Sequence, residues 1–304
     1  MRRYLVFSLL LFSVAFATAC SPKRYALNTL GDMLSKGGSV YESDNDIILI
    51  GEALPFSLKL LESLLVESPD QPGLLLSASR GYVLYAYAYV HWQADLEKLF
   101  DIENARVMRE RAQNLYLRAL NYSLHALELS HPGFENTLAT NPQRAVLAIT
   151  SSSADSNVPL LYWSAAALGL AISVSKNDPR MLARLPEVGA MLDRALTLDE
   201  DWNRGTLHEF KITWAAAQHT DADESILRDH YNRALELSDG ERASLFVTMA
   251  EAISLPNQDR EEFTFLLENA LAVDPDNDPE HRLLNVIAQR RAKWLLSHID
   301  ELIL

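Results

Sequence analysis

Apolar residues recur along this chain at spacings of three and four, and the segments in which they do so are parted by prolines. The pattern predicts helices over 25–36, 52–67, 72–92, 103–130, 142–149, 159–176, 180–198, 203–218, 222–238, 241–254, 259–273 and 279–302. No convincing alternating run marks a strand. Pro69, Pro72, Pro132, Pro142, Pro179, Pro256 and Pro275 sit at the breaks, where a missing N–H does least harm. Ile47 to Ile50 has strand composition but reads better as the lead-in or first turn of the helix carrying Leu54, Leu58 and Leu61. Residues 131–158, with Pro132, Pro142 and the run Ser151-Ser152-Ser153, read as a loop-rich insertion, either a functional rim or a spacer.

A second pattern lies on top of the first. Tyr116-Leu-Arg-Ala-Leu120, Leu192-Asp-Arg-Ala-Leu196, Tyr231-Asn-Arg-Ala-Leu235 and Leu267-Glu-Asn-Ala-Leu271 each put a bulky apolar residue three before an alanine and a leucine after it. The alanines at 119, 195, 234 and 270 are separated by 76, 39 and 36 residues, and 76 is close to two units. Crossing helices need a small residue at closest approach and a bulky one a turn earlier. The recurrence therefore predicts an all-α fold of stacked helical hairpins, a tetratricopeptide-like solenoid over residues 25–304. Only 11 glycines and 12 prolines in 304 residues agree with helix throughout.

The N-terminus obeys different rules. Arg2 and Arg3 precede an apolar run from Leu5 to Phe16, and Ala17-Thr18-Ala19 leads into Cys20, the only cysteine of the chain. Residues 1–19 read as a lipoprotein signal peptide, Cys20 as the lipidated first residue of the mature protein, and residues 20–24 as its tether. The run is too short and wrongly flanked for a lasting transmembrane helix. Ala17 stands where such signals usually carry leucine, and an ordinary secretory signal cut near Ala19 is the alternative. Ser21, where aspartate would favour inner-membrane retention, points to the outer membrane of a two-membrane bacterium. Taking Arg2 and Arg3 from the 27 basic side chains leaves 25 against 41 acidic ones, a net charge of −16, which excludes nucleic acid as a natural partner. One cysteine permits no intrachain disulfide.

Few residues invite chemistry. There is no phosphate-cradling glycine loop, nucleophile elbow or His-Glu-x-x-His, so no catalytic group, metal or cofactor is expected. His208 and His219, eleven residues apart, could share a helical face, yet His208 reads first as a packed hydrogen-bonding residue and second as part of a ligand or partner surface. Asp274, Asp276 and Asp278 lack the glycine and terminal glutamate of a calcium loop and read as a solvated capping turn. Glu110-Arg111 and Arg290-Arg291 read as solvated or interhelical charges. The stretch from Tyr82 to Trp92 is apolar nearly all round, with Tyr82, Tyr85 and Tyr89 on one face and Tyr87 roughly opposite. Tyr82, Tyr85, Tyr89, Trp92 and Trp202 are either core or the lining of a ligand channel or oligomer seam, whereas Trp163 and Trp214 favour the core.

Several longer motifs resemble one known family. They are Glu52-Ala-Leu-Pro-Phe-Ser-Leu-Lys-Leu-Leu-Glu62 before Pro69, Arg111-Ala-Gln-Asn-Leu-Tyr-Leu-Arg-Ala-Leu120, Leu161-Tyr-Trp-Ser-Ala-Ala166, Leu196-Thr-Leu-Asp199 with Gly205-Thr-Leu-His208, Asp229-His-Tyr-Asn-Arg-Ala-Leu235, Gln258-Asp-Arg-Glu-Glu-Phe263 and Arg282-Leu-Leu-Asn285. In order and spacing the chain resembles the TatT family, tetratricopeptide-like lipoproteins associated with tripartite ATP-independent periplasmic (TRAP) transporters. The resemblance implies a periplasmic homotrimer that associates with the solute-binding component of a TRAP system and carries an apolar or amphipathic small molecule through a pore or cleft, without catalysis. A structural periplasmic adaptor for peptides or envelope proteins is the alternative, since such folds mostly present binding surfaces.

Overall fold

The computed structural model of the chain describes residues 39–303 and Thr29, apart from 98–99, 151–153 and 219–222, and of Ser39 and 154–156 the backbone alone. The expected signal, tether and Cys20, most of the helix predicted over 25–36, the Ser151-Ser152-Ser153 run and His219 lie outside the described residues.

The chain is all-α. A single turn, α1 (Ser39–Glu42), leads into α2 (Ile47–Glu67), whose first N–H groups at Ile48 and Leu49 are capped by the Asp46 carboxylate. Ile47 is thus the first residue of the helix. Next, α3 (Pro72–Tyr85) runs without a break through a π-helical segment (Ala86–His91) into α4 (Trp92–Glu97). The long α5 (Ile102–Ser130) comes after it, then α6 (Phe134–Thr140), α7 (Pro142–Leu147) and α8 (Ala154–Ser173). Beyond them come α9 (Pro179–Leu182), α10 (Leu185–Leu198), α11 (Thr206–Gln218) and α12 (Glu224–Leu237). The chain ends with α13 (Ala243–Met249) and a second π segment (Ala250–Ser254), α14 (Arg260–Ala272), a 3-10 turn (Pro279–His281), α15 (Arg282–Ser297) and α16 (Ile299–Leu302). Asp101, Asn141, Asp178, Asp223 and Asp259 cap their helices through side-chain oxygens, each worth about 1 kcal/mol.

The long helices pack on their neighbours in succession: α2 on α3, α3 on α5, α5 on α8, α8 on α10, α11 on α12, and α13, α14 and α15 on one another. The four repeat alanines, Ala119, Ala195, Ala234 and Ala270, are all fully buried, as a close helix crossing requires. Gly205, at φ +85°, brings its Cα so near α12 that a Cβ there would lie 3.0 Å from the Cα of Ala234. Two hydrophobic clusters divide the array, one from Leu58 to Leu207 and one from Ile212 to Ile303.

Residues 131–158 are more regular than the sequence pattern suggests. They hold α6, α7 and the start of α8, with Phe134, Leu138, Ala145, Val146 and Ile149 all buried in the first cluster. Helices of two turns, started by Gly133 at φ +85° and capped by Asn141, are too short to leave a period of their own.

The two ends of the array meet. α15 packs against α1 and α2, and a third apolar cluster of Ile50, Leu54 and Leu283, flanked by Tyr41, Ile47, Tyr85, Tyr89 and Ile287, fills the seam. Polar bonds fasten it: Arg282 donates to the Ser43 carbonyl at 2.7 Å, Tyr41 and Ser57 hydroxyls meet at 2.5 Å, and Glu42 pairs with Arg80. No helix among the described residues is long and apolar enough to cross a membrane.

Candidate functional site

Arg80, Tyr87, His91 and Asp95 succeed one another at intervals of seven, four and four along α3, the π segment and α4, which sets them on one face. This face looks into the middle of the closed array. Tyr87 is 38% exposed, yet burial is the largest influence raising the pKa of its phenol, as expected of a side chain on a concave wall. The charges acting on it are Arg291 of α15, Glu251 of the second π segment, Glu209 of α11 and Asp95 of α4. Burial also raises the phenol of Tyr162 on α8, which feels Glu209, Arg242, Tyr87 and Arg80. The two phenols share Glu209, and Tyr162 also feels Tyr87, so both border the same hollow.

Both π segments contribute to that wall, Tyr87 from the first and Glu251 from the second. A π segment inserts one residue per turn into a helix and re-aims the side chains beyond it, a device found most often at functional sites. The charges of the hollow are bound to one another. Arg291 holds the Glu251 carboxylate from Nε at 2.9 Å and Nη2 at 2.6 Å, lies 4.6 Å above the Trp92 ring and stands 3.7 Å from Asp95. Arg109 is 3.6 Å from the other Asp95 oxygen. Glu209 accepts from Ser244 at 3.1 Å and Thr248 at 3.3 Å and faces Arg242 at 3.6 Å. His91 meets the fully buried Tyr116 hydroxyl at 3.1 Å, and burial lowers its imidazole pKa.

Where the hollow reaches the seam, a small open crevice lies between the first π segment and α15. Ile47, Ala88, Trp92 and Ile287 form its apolar wall; Tyr87, Arg291 and the exposed Arg290 complete the lining. Apolar walls with a few convergent polar groups are the usual make-up of a small-molecule site.

The residues singled out from the sequence are dispersed. Trp92 lines the pocket and packs edge-on against Trp294 at 5.5 Å. Tyr89 adjoins it: its hydroxyl donates to the Ile47 carbonyl at 2.9 Å, burial pushes its pKa up to about 12, and its ring lies where a Cβ on Gly51 would be, 2.5 Å from Cε1. Tyr85 stacks on Tyr89 at 5.8 Å and accepts from Arg111 at 3.3 Å. Tyr82 is buried against α5, where Arg118 donates to it at 3.3 Å, and its ring stacks on Tyr122. Trp202 packs on Tyr162 at 4.9 Å, behind the hollow. Trp163 and Trp214 are partly buried against the first cluster.

His208 stands apart from the pocket. It is buried, with Nε2 3.0 Å from Glu200 and Nδ1 2.8 Å from Nδ1 of His230. Burial lowers the pKa of both imidazoles, that of His230 to about 4, with His208 the next cause. Among the described residues no group of three acidic, histidine or cysteine side chains could hold a metal ion. The acidic turn differs from its sequence reading at one position: Asp278 is buried and binds Arg204 at 2.7 Å and His281 at 2.8 Å.

The inner face of α3 and α4 was missed because phenols, carboxylates and guanidiniums at helical spacing look like a solvated face. The readable sign was Tyr87 itself, an aromatic set opposite its neighbours.

Two comparisons bear on this architecture. Residues 43–303 match the family described as TRAP transporter T-component. A Treponema pallidum (strain Nichols) protein, itself described only as uncharacterized, is 26% identical over 308 residues, covering 96% of this chain and 95% of that one.

Proposed function

The chain belongs to the TRAP transporter T-component family, and from that membership we propose that it is a lipid-anchored periplasmic accessory of a TRAP system that binds an apolar or amphipathic solute in its seam pocket. Family membership supports the accessory role in transport and gives no ground for an enzymatic one. The observation that carries the ligand reading is the pocket, which joins an apolar wall to the polar hollow where the two ends of the array meet. Binding there is passive: the wall removes the solute from water, at roughly 25 cal/mol per Å² of apolar area, and the polar side orients it. A docked solute-binding component then receives it without bond chemistry. Cys20 supplies the anchor, and Ser21 favours the outer membrane.

The homotrimer belongs to the same proposal. It would cover part of the outward ridge of α2, where Ile48 is 70% and Phe56 74% exposed. Sedimentation of the Cys20→Ser chain tests it: a mass near three chains is expected, and a monomer across micromolar concentrations removes the trimer.

Purification of the protein from its own cells, with identification of whatever accompanies it, tests the main reading. A TRAP solute-binding protein and an extractable apolar or amphipathic molecule are expected. Reproducible absence of both overturns it, and capture of envelope-assembly proteins in their place favours the adaptor.

A further inference from the structure

We propose that the phenols of Tyr87 and Tyr162 are the recognition groups of the hollow and select an amphipathic ligand whose head is uncharged and hydrogen-bonding over one that ends in a carboxylate or an ammonium. The inference rests on the ligand binding proposed above and names the class of molecule bound.

The selectivity comes from the pairing of charges in the hollow. Each guanidinium facing it already has a carboxylate: Arg291 has Glu251 in a two-point contact, Arg242 has Glu209 at 3.6 Å, and Arg80 has Glu42. An anionic head would have to displace one of these carboxylates, and a cationic head one of the guanidiniums. Either exchange strands a partly buried charge, which low-dielectric surroundings penalise heavily. A neutral head disturbs no pair.

The phenols are in the opposite condition. Neither Tyr87 nor Tyr162 has a hydrogen-bond partner among the described residues. Burial raises both pKa values, so each hydroxyl stays protonated and presents a donor and an acceptor together. That is what an alcohol, amide or ester head can satisfy from both sides. Tyr87 belongs to the pocket wall as well, so a head bonded to it places its tail beside Ile47, Ala88 and Trp92. Arg290 is the one cation of the pocket without a carboxylate partner among the described residues, but it is exposed, and a solvated cation attracts an anion by no more than about fivefold.

The test uses the full exported chain carrying Cys20→Ser, which keeps every described residue, and three probes with an eight-carbon chain: 1-octanoylglycerol, octanoate and octylamine. Isothermal titration calorimetry should show 1-octanoylglycerol binding about tenfold more tightly than either ion. Tyr87→Phe with Tyr162→Phe, which keeps both rings, should weaken 1-octanoylglycerol about tenfold and change octanoate less than about twofold, the effect of two lost neutral hydrogen bonds. The single variants answer the same question if the double one melts early. Equal or tighter binding of octanoate or octylamine overturns the selectivity while leaving the ligand reading in place. So does an unchanged preference in the phenylalanine variants. If no probe binds, the seam pocket is not a ligand site and both readings fall.

Discussion

Replacing Arg291 by methionine keeps the side-chain stem and removes the guanidinium that joins α15 to the second π segment and to α4. Two charge-assisted hydrogen bonds to Glu251, at 2.9 and 2.6 Å, disappear, together with the stacking over Trp92 at 4.6 Å. Arg291 and Glu251 have side chains only 22% and 29% exposed, so water replaces the lost partner incompletely. The hydrogen bonds contribute about 1.5–3 kcal/mol and the cation–π contact about 0.5–1 kcal/mol, for a cost on the order of 3 kcal/mol. A protein of this size loses roughly 2–4 °C of melting temperature per kcal/mol, so a fall of roughly 6–12 °C is expected by circular dichroism. Adding Glu251→Gln removes the stranded carboxylate and should recover about 1–2 kcal/mol of that loss. A single variant that melts within about 2 °C of wild type, or a double variant whose losses simply add, would refute the view that this pair holds the hollow closed.

Three further outcomes are expected elsewhere in the molecule. Ala234→Leu, at a fully buried crossing where Gly205 nearly touches the α12 backbone, should cost about 1–3 kcal/mol or more, whereas Ala217→Leu at an exposed position should be near neutral; equal melting temperatures would sink the reading of the repeat alanines as close-approach points. Because burial and His208 lower the His230 pKa from 6.5 to about 4, the unfolded chain takes up its proton first, and stability present above pH 6.5 should drain away as pH falls toward 4, by about 1–3 kcal/mol. His230→Asn should flatten that stretch of the melting-temperature profile, and a variant profile parallel to wild type would count against it. Cys20→Ser should abolish fatty-acid labelling and partition into detergent while leaving the helical spectrum unchanged; a wild-type protein that carries no lipid after export removes the anchor.

The helical class and the stacked hairpins were legible in the sequence because each depends on local repetition, and the family because the order and spacing of longer motifs resemble it. Periods of three and four record which side of a helix is buried, and the recurrent Ala-Leu pairs record where helices cross. The two-turn helices between 131 and 158 were not legible, since they are shorter than the window in which a period can be recognised. The sequence by itself also marked Trp92 and Tyr89 as unusual, without saying which was core, oligomer seam or pocket.

Only the tertiary structure decided where the site lies. Ile47 and Ile287 come from opposite ends of the chain and share a pocket because α15 returns to α2, a contact that no local pattern encodes. Arg80, Glu209, Glu251 and Arg291 each look like ordinary surface residues in their own helices, and only Tyr87 stands out there. They converge because the array closes and its π segments turn Tyr87 and Glu251 inward. Hydrophobic periodicity reports removal from water, and a water-accessible polar hollow inside a protein leaves the same trace in sequence as its outer surface.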